Sequence, residues 1–265
     1  MNHIQYVALV LRAQLAFLFS SVVLLICSSI LLSCGSAHIA ENTTVRGGEV
    51  KIEGLLEEEL LELFVNSRSF DAASPLAQKL YREHPKKARP AYLLGVILRE
   101  KGVFEESKRF LLEAISRDPT HSDAYDALGI LHGVQGQLEE ALSAHKRATE
   151  IMPKNPKYWH NYGFALSVSK KFQAAIKAFQ KSLSLAPDQK RTFVNLGFAH
   201  GALGQFKEMR RYLSQALKAA EVEFNIGFVM EKRGELSEAI SHYKSAISLN
   251  PHLTQARSAL ERLEP

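Results

Sequence analysis

Asparagine followed two residues later by Gly-Phe occurs three times in this chain, at Asn161-Tyr162-Gly163-Phe164, Asn195-Leu196-Gly197-Phe198 and Asn225-Ile226-Gly227-Phe228. An amide side chain carries both donors and an acceptor, so a row of asparagines can hold the backbone of an extended peptide whatever its sequence. Phenylalanines beside them would supply apolar contact area and pockets for alternate side chains. Residues suited to catalysis do not assemble in the same way. Ten histidines are present, yet the sequence has no HExxH, CxxC, GxGxxG or GxxxxGK motif and no nucleophile elbow. Paired carboxylates such as Glu105-Glu106 and Glu139-Glu140 fall where second helices open, and negative charge there suits the helix dipole without implying acid–base work. The sequence points to a chain that binds rather than catalyses, with no cofactor, no metal and no small-molecule substrate.

The spacing of the Asn-x-Gly-Phe motifs, 34 and then 30 residues, is that of a repeat array. Aligning Leu94-Gly95, Leu128-Gly129, Tyr162-Gly163, Leu196-Gly197 and Ile226-Gly227 cuts the chain into units 88–121, 122–155, 156–189, 190–219 and 220–253. Extending the frame backwards gives a degenerate unit, 54–87, in which Leu60-Leu61 replaces Leu-Gly. Each unit would be a helical hairpin unable to bury its apolar face alone, so stacking on neighbours supplies the core. Pro85, Pro119, Pro153, Pro187 and Pro251 stop the second helices. Gly102, Gly136, Gly204 and Gly234 sit at the hairpin turns, with Lys170 in their place in one unit. Unit 190–219 is four residues short and has no closing proline, so Ala219 to Glu221 either turn tightly or let two helices run nearly together. Met209 also stands where other units have a small alanine, which makes this unit the expected weak point.

At the start, GLLEEELLELF places Leu55, Leu56, Leu60, Leu63 and Phe64 near one helical face and glutamates opposite, as a polar-backed end cap should. TQARSALERL, after residue 253, is expected to be a solvating C-terminal helix.

The phased residues resemble the tetratricopeptide repeat, whose pattern is W-x2-L-G-x2-Y, then A-x3-F, then P. Unit 156–189 carries Trp159, Gly163, Ala175, Phe179 and Pro187, and unit 122–155 carries Tyr125, Leu128, Gly129, Ala141, Ala148 and Pro153. The resemblance implies an all-α, right-handed superhelical solenoid of about six hairpins and a capping helix over 54–265. Against the family pattern, His132 and His200 replace a tyrosine and His145 a phenylalanine, which marks them as core histidines bonded locally. In this family the first helices line a concave groove. By register that groove would hold Asn161, Asn195 and Asn225 beside Phe164, Phe198 and Phe228, flanked by Tyr92, Val96, Arg99, Lys157, His160 and Arg191. Related arrays clamp a partner's C-terminal carboxylate with basic residues, but Asp123, Asp126 and Glu221 break the basic set here.

Leu15 to Leu32 runs 18 residues without a charge, which fits a secretory signal or a short spanning helix. Leu31-Leu32-Ser33-Cys34-Gly35 resembles the lipobox of bacterial lipoproteins. That resemblance implies that 1–33 is a cleaved signal, that Cys34 is lipidated, and, from Gly35, an outer-membrane lipoprotein facing the periplasm. An uncleaved signal anchor is the other reading. Residues 34–53 are polar and glycine-containing, a flexible tether of roughly 25 Å. Without the signal, 32 basic residues face 28 acidic ones, since Arg12 is the one charged residue lost from the 33 basic. Such a balance means solvated helix faces and does not point to nucleic acid. Lipid-anchored arrays of this size resemble the pilotins of type IV pili and the repeat lipoproteins of tight-adherence pilus machines. They imply a scaffold that helps assemble a pilus or secretion machine. Adaptors for periplasmic proteases or peptidoglycan enzymes, and a signal-anchored co-chaperone, are the alternatives.

Overall fold

The computed structural model describes residues 57–264. The expected signal, tether and lipidated Cys34, together with Leu55 and Leu56, lie outside the described residues. Thirteen helices and no strand are present among the described residues. They are α1 (57–66), α2 (Phe70–Glu83), α3 (Ala88–Glu100), α4 (Phe104–Arg117), α5 (Ser122–Val134), α6 (Leu138–Ile151), α7 (Pro156–Val168), α8 (Phe172–Leu185), α9 (Lys190–Ala202), α10 (Phe206–Leu213), α11 (Ala219–Lys232), α12 (Leu236–Leu249) and α13 (Thr254–Leu263). The array is the expected all-α superhelical solenoid. Helices α3/α4, α5/α6, α7/α8, α9/α10 and α11/α12 form hairpins, and α3, α5, α7, α9 and α11 touch one another in sequence along one side. That row of first helices is the surface on which the Asn and Phe motifs fall.

The Leu-Gly pairs explain how the hairpins close. A Cβ placed on Gly163 would fall 2.8 Å from ring atoms of Phe179, so glycine is what lets α8 seat its phenylalanine on the backbone of α7. The same site is taken by Leu111 over Gly95, His145 over Gly129, Leu213 over Gly197 and Tyr243 over Gly227. The helix penalty of about 1 kcal/mol for glycine is outweighed by burying a whole side chain, which contributes about 1.5–3 kcal/mol. Ala141, Ala175 and Ala239, each at most 1% exposed, allow the matching approach from the second helices. Gly102, Gly136, Gly204 and Gly234 turn the hairpins at φ between +74° and +83°, and Lys170 makes the same turn at +59°.

Two details of the ends and the short unit differ from expectation. In α1 the fully buried residue is Leu61, while Leu60 and Leu63 are 42% and 58% exposed. The helix is rotated because its glutamates pair with the helices that follow: Glu57 with Lys79, Glu58 with Lys87, and Glu62 with Arg89. They are tied to the array instead of backing it as a free polar face. In the short unit, α10 stops at Leu213 after eight residues, a turn fills 214–218, and α11 starts separately at Ala219. Met209 is no defect there. It is fully buried, and its Sδ lies 2.5 Å from where a Cβ on Gly201 would be, so a large residue on α10 fills the space that a glycine on α9 vacates. At the far end α13 buries Ala256 and Ala259 and ties Arg262 to Glu231 at 2.6 Å, the expected cap.

Candidate partner-binding groove

Phe164, on the exposed side of α7, is 54% exposed and forms the wall between two recesses. On one side is an apolar cleft of about 250 Å³ whose walls include Ile130 and Val134 of α5 and Val168 of α7, with His145 of α6 reaching it from the second helix. Val134 and Val168 are 61% and 49% exposed, so the cleft opens to solvent. On the other side a recess of about 420 Å³ lies between α7 and α9, lined by His160, Lys190, Arg191, Asn195 and Leu217 among others. Apolar and basic contact surfaces therefore adjoin along the first helices, with Phe164 and Asn161 facing both.

Charge in this region is organised around Asp126, which is 1% exposed on α5. It accepts hydrogen bonds from His145 Nδ1 at 2.9 Å and from Asn161 Nδ2 at 2.9 and 3.0 Å, and Lys157 Nζ lies 3.2 Å away. Burial pushes the Asp126 carboxyl up, but the His145 and Asn161 hydrogen bonds and the Lys157 charge together hold it below the usual carboxylate range. Burial works against the Lys157 ammonium, yet Asp126 and Asp123 raise it above the ordinary lysine value. Burial, assisted by the Arg191 charge, lowers His160, whose Nδ1 meets Thr192 Oγ1 at 2.7 Å. Thr192 gives its own hydroxyl hydrogen to Gln189 Oε1, so His160 Nδ1 is the donor to Thr192. Lys190 and Arg191 make no ion pair among the described residues.

The expected site residues separate into those that line the recesses and those that do not. Asn161, Phe164, His160, Arg191 and Asn195 lie together around the second recess, and Lys157 borders the adjoining opening with Arg191. A ladder of three uncommitted amides is not present. Asn161 is spent on Asp126, and Asn225 folds back to donate to the Glu221 carbonyl at 2.7 Å. The Asn195 side chain alone of the three makes no hydrogen bond among the described residues. The phenylalanines also differ. Phe228 is 40% exposed, whereas Phe198 is half-buried against the cluster containing Met209 and Leu213. At the N-terminal end Val96 is only 9% exposed, and the Tyr92 ring meets that of His121 at a 42° tilt, with its hydroxyl pKa pushed up to about 12 by burial. Arg99 is drawn to Glu100 at 2.8 Å. Tyr92 and Val96 pack against Leu128 and Leu131 of α5, which takes them into the seam between α3 and α5.

Sequence reasoning missed Ile130, Val134 and Val168. Their signal was present, because Ile130 holds the same unit position as Phe164, and Val134 and Val168 are 34 residues apart. The core histidines sit as expected, with His132 Nδ1 on Gln137 Oε1 and His200 Nδ1 on Gln205 Oε1.

Family models described as tetratricopeptide repeat match residues 88–121, 110–143, 156–189 and 191–223. Residues 88–143, 156–189 and 191–223 carry tetratricopeptide repeats. Solved structures with this fold include PilF of Pseudomonas aeruginosa, 17% identical over 79% of this chain and 97% of that one, with a TM-score of 0.62. YrrB, described as a tetratricopeptide protein with an unusual peptide-binding site, is 18% identical over 70% and 97% of the two chains, with a TM-score of 0.57. MamA of Desulfovibrio magneticus RS-1 is 18% identical over 62% and 92%, with a TM-score of 0.53. At such identities the likeness is one of fold, and the repeat residues of this chain must supply the rest.

Proposed function

We propose that this tetratricopeptide array is a non-catalytic protein-interaction scaffold that holds an extended segment of a partner along the first helices from α5 to α11. The observation that carries this reading is the juxtaposition at α7–α9, around one recess, of exposed Phe164 with the Asn195 amide, Lys190 and Arg191, whose side chains have no hydrogen-bond or ion-pair partner among the described residues. A large apolar side chain left half in water beside exposed polar groups offers a docking segment both contact area to bury and groups to pair with. The peptide-binding description of YrrB is consistent with such a use of the fold. In-cell crosslinking and capture tests it. Phe164→Ala combined with Asn195→Ala is expected to reduce capture of the partner at least tenfold with unchanged helix content. Undiminished capture would overturn the groove.

For location, the lipobox-like Leu31-Leu32-Ser33-Cys34 supports a lipid-anchored envelope protein that assists assembly of a pilus or secretion machine. A single acyl chain anchors only marginally, so a lipoprotein of this kind depends on modification at one cysteine with several chains. Cys34→Ala is expected to abolish palmitate labelling, and undiminished labelling would exclude the anchor.

A further inference from the structure

The apolar cleft beside Phe164 contains an acceptor that the fold leaves unused. Asp126 is surrounded by donors: Asn161 Nδ2 reaches both of its oxygens, and the Lys157 ammonium lies 3.2 Å away. A carboxylate so placed only accepts, so His145 must donate Nδ1–H across the 2.9 Å contact. In the neutral ring that fixes the tautomer and leaves Nε2 as a bare lone pair. Among the described residues no hydrogen bond reaches Nε2, and the side chain is 5% exposed. The ring cannot readily turn to spend it elsewhere. It lies flat on Gly129, where a Cβ would fall 2.8 Å from three ring atoms, and Asp126 holds the opposite nitrogen.

The surroundings decide what could use that lone pair. Ile130, Val134, Phe164 and Val168 present carbon, and the volume of about 250 Å³ lies below that of pockets for drug-sized molecules, so one side chain fits. Serine or threonine would leave the walls uncovered, and leucine or phenylalanine would leave Nε2 desolvated without a donor. Beyond Phe164 the groove continues into the recess of Lys190 and Arg191, which have no ion pair among the described residues and complement acidic residues.

Resting on the groove reading above, we propose that the cleft between α5, α6 and α7 receives a tyrosine side chain from an acidic segment of the partner. Its ring packs against Val134, Phe164 and Val168, and its phenolic O–H donates to His145 Nε2. The Asp126–His145–Asn161 cluster, which ties α5, α6 and α7 together, is thereby also the specificity element of the groove.

The test uses the full chain with p-cresol and toluene, a pair that differs by the hydroxyl alone. In NMR titrations both are expected to shift the methyl signals of Val134 and Val168. The p-cresol should bind about 3- to 10-fold more tightly, the worth of one neutral hydrogen bond, and move the His145 Nε2 nitrogen resonance where toluene does not. Equal affinity, or p-cresol binding with Nε2 unmoved, overturns the proposal. His145→Phe keeps the ring and removes the acceptor, so it should erase the preference; if that variant does not fold, the wild-type Nε2 resonance still decides. Fluorescein-labelled twelve-residue peptides of Glu, Ser and Gly with one central Tyr, Phe, Trp or Ala extend the comparison. Tyr is expected to lead Phe by the same factor, whereas Trp ahead of Tyr, or Phe equal to it, counts against the assignment. Loss of this discrimination while capture still depends on Phe164 and Asn195 would remove the tyrosine pocket and leave the groove. Discrimination that persists while capture ignores Phe164 and Asn195 would remove the groove as the partner site.

Discussion

Asn161→Ala and Asn195→Ala are the same substitution at the same unit position, and the structure assigns them opposite consequences. Asn161 Nδ2 donates to both oxygens of a carboxylate that is 1% exposed. Removing it leaves Asp126 with His145 and Lys157 only. A hydrogen bond to a charged group contributes about 1.5–3 kcal/mol. Because Asn161 is itself half-buried, water can enter where the amide was, which favours the lower part of that range. The expected destabilisation is therefore about 1.5–2.5 kcal/mol at pH 7, read by urea denaturation followed by circular dichroism. The Asn195 side chain makes no hydrogen bond among the described residues, so Asn195→Ala should remain within about 0.5 kcal/mol of wild type and lose affinity instead. A pH series separates the explanation from mere lost packing. Asp126 has a depressed folded-state pKa, so its contribution is complete above the ordinary aspartate value of about 3.9 and disappears as pH falls through the folded value. The gap between wild type and Asn161→Ala should narrow below about pH 4. A gap that stays constant down to pH 2.5, or an Asn161→Ala protein as stable as wild type at pH 7, would refute the reasoning.

Phe179→Ala should cost about 3–5 kcal/mol, since the ring is fully buried on Gly163, whereas Phe164→Ala should cost under about 1 kcal/mol because that ring is 54% exposed. Comparable losses would place Phe164 in the core. Lys170→Gly should stabilise by about 0.5–1 kcal/mol, as the left-handed turn at φ +59° costs a side-chain-bearing residue more than glycine loses in entropy; no change in the denaturation midpoint would contradict this. Amides of α10 and the turn 214–218 should exchange fastest among the second-helix segments of the complete hairpins, because α10 has eight residues where its counterparts have 14; finding that segment the best protected would reverse the assignment.

The fold was legible because the residues that encode it act within their own unit. Gly163 and Phe179, or the proline after each long second helix, need only the hairpin they belong to, so a fixed period displays them. Met209 was harder. It looks like a defect when its position is compared with alanines in other units, and it becomes intelligible only beside Gly201, the small residue eight positions earlier that makes room for it. Helix α1 misled for a related reason. Its leucines suggest one apolar face, but the glutamates answer to Lys87 and Arg89, at the junction with the next unit, and those pairs set the rotation that buries Leu61.

The groove was legible only in outline, because there the meaning of a residue depends on what the preceding unit presents. The asparagine ladder occupies one unit position, and each asparagine faces the register of a residue 35 or 31 positions before it. For Asn161 that residue is Asp126, and the amide is consumed in neutralising a buried carboxylate. For Asn195 it is His160, already turned to Thr192, so the amide remains available. For Asn225 it is Val194, which offers nothing polar, and the amide returns to its own helix at Glu221. One recurring residue thus serves as an inter-repeat brace, a candidate contact for a partner and a local backbone cap in three successive units. Changing the earlier partner should therefore change the role: Asp126→Asn would relieve the carboxylate and loosen the hold on both Asn161 and His145, coupling the brace to the cleft at which the partner is proposed to dock.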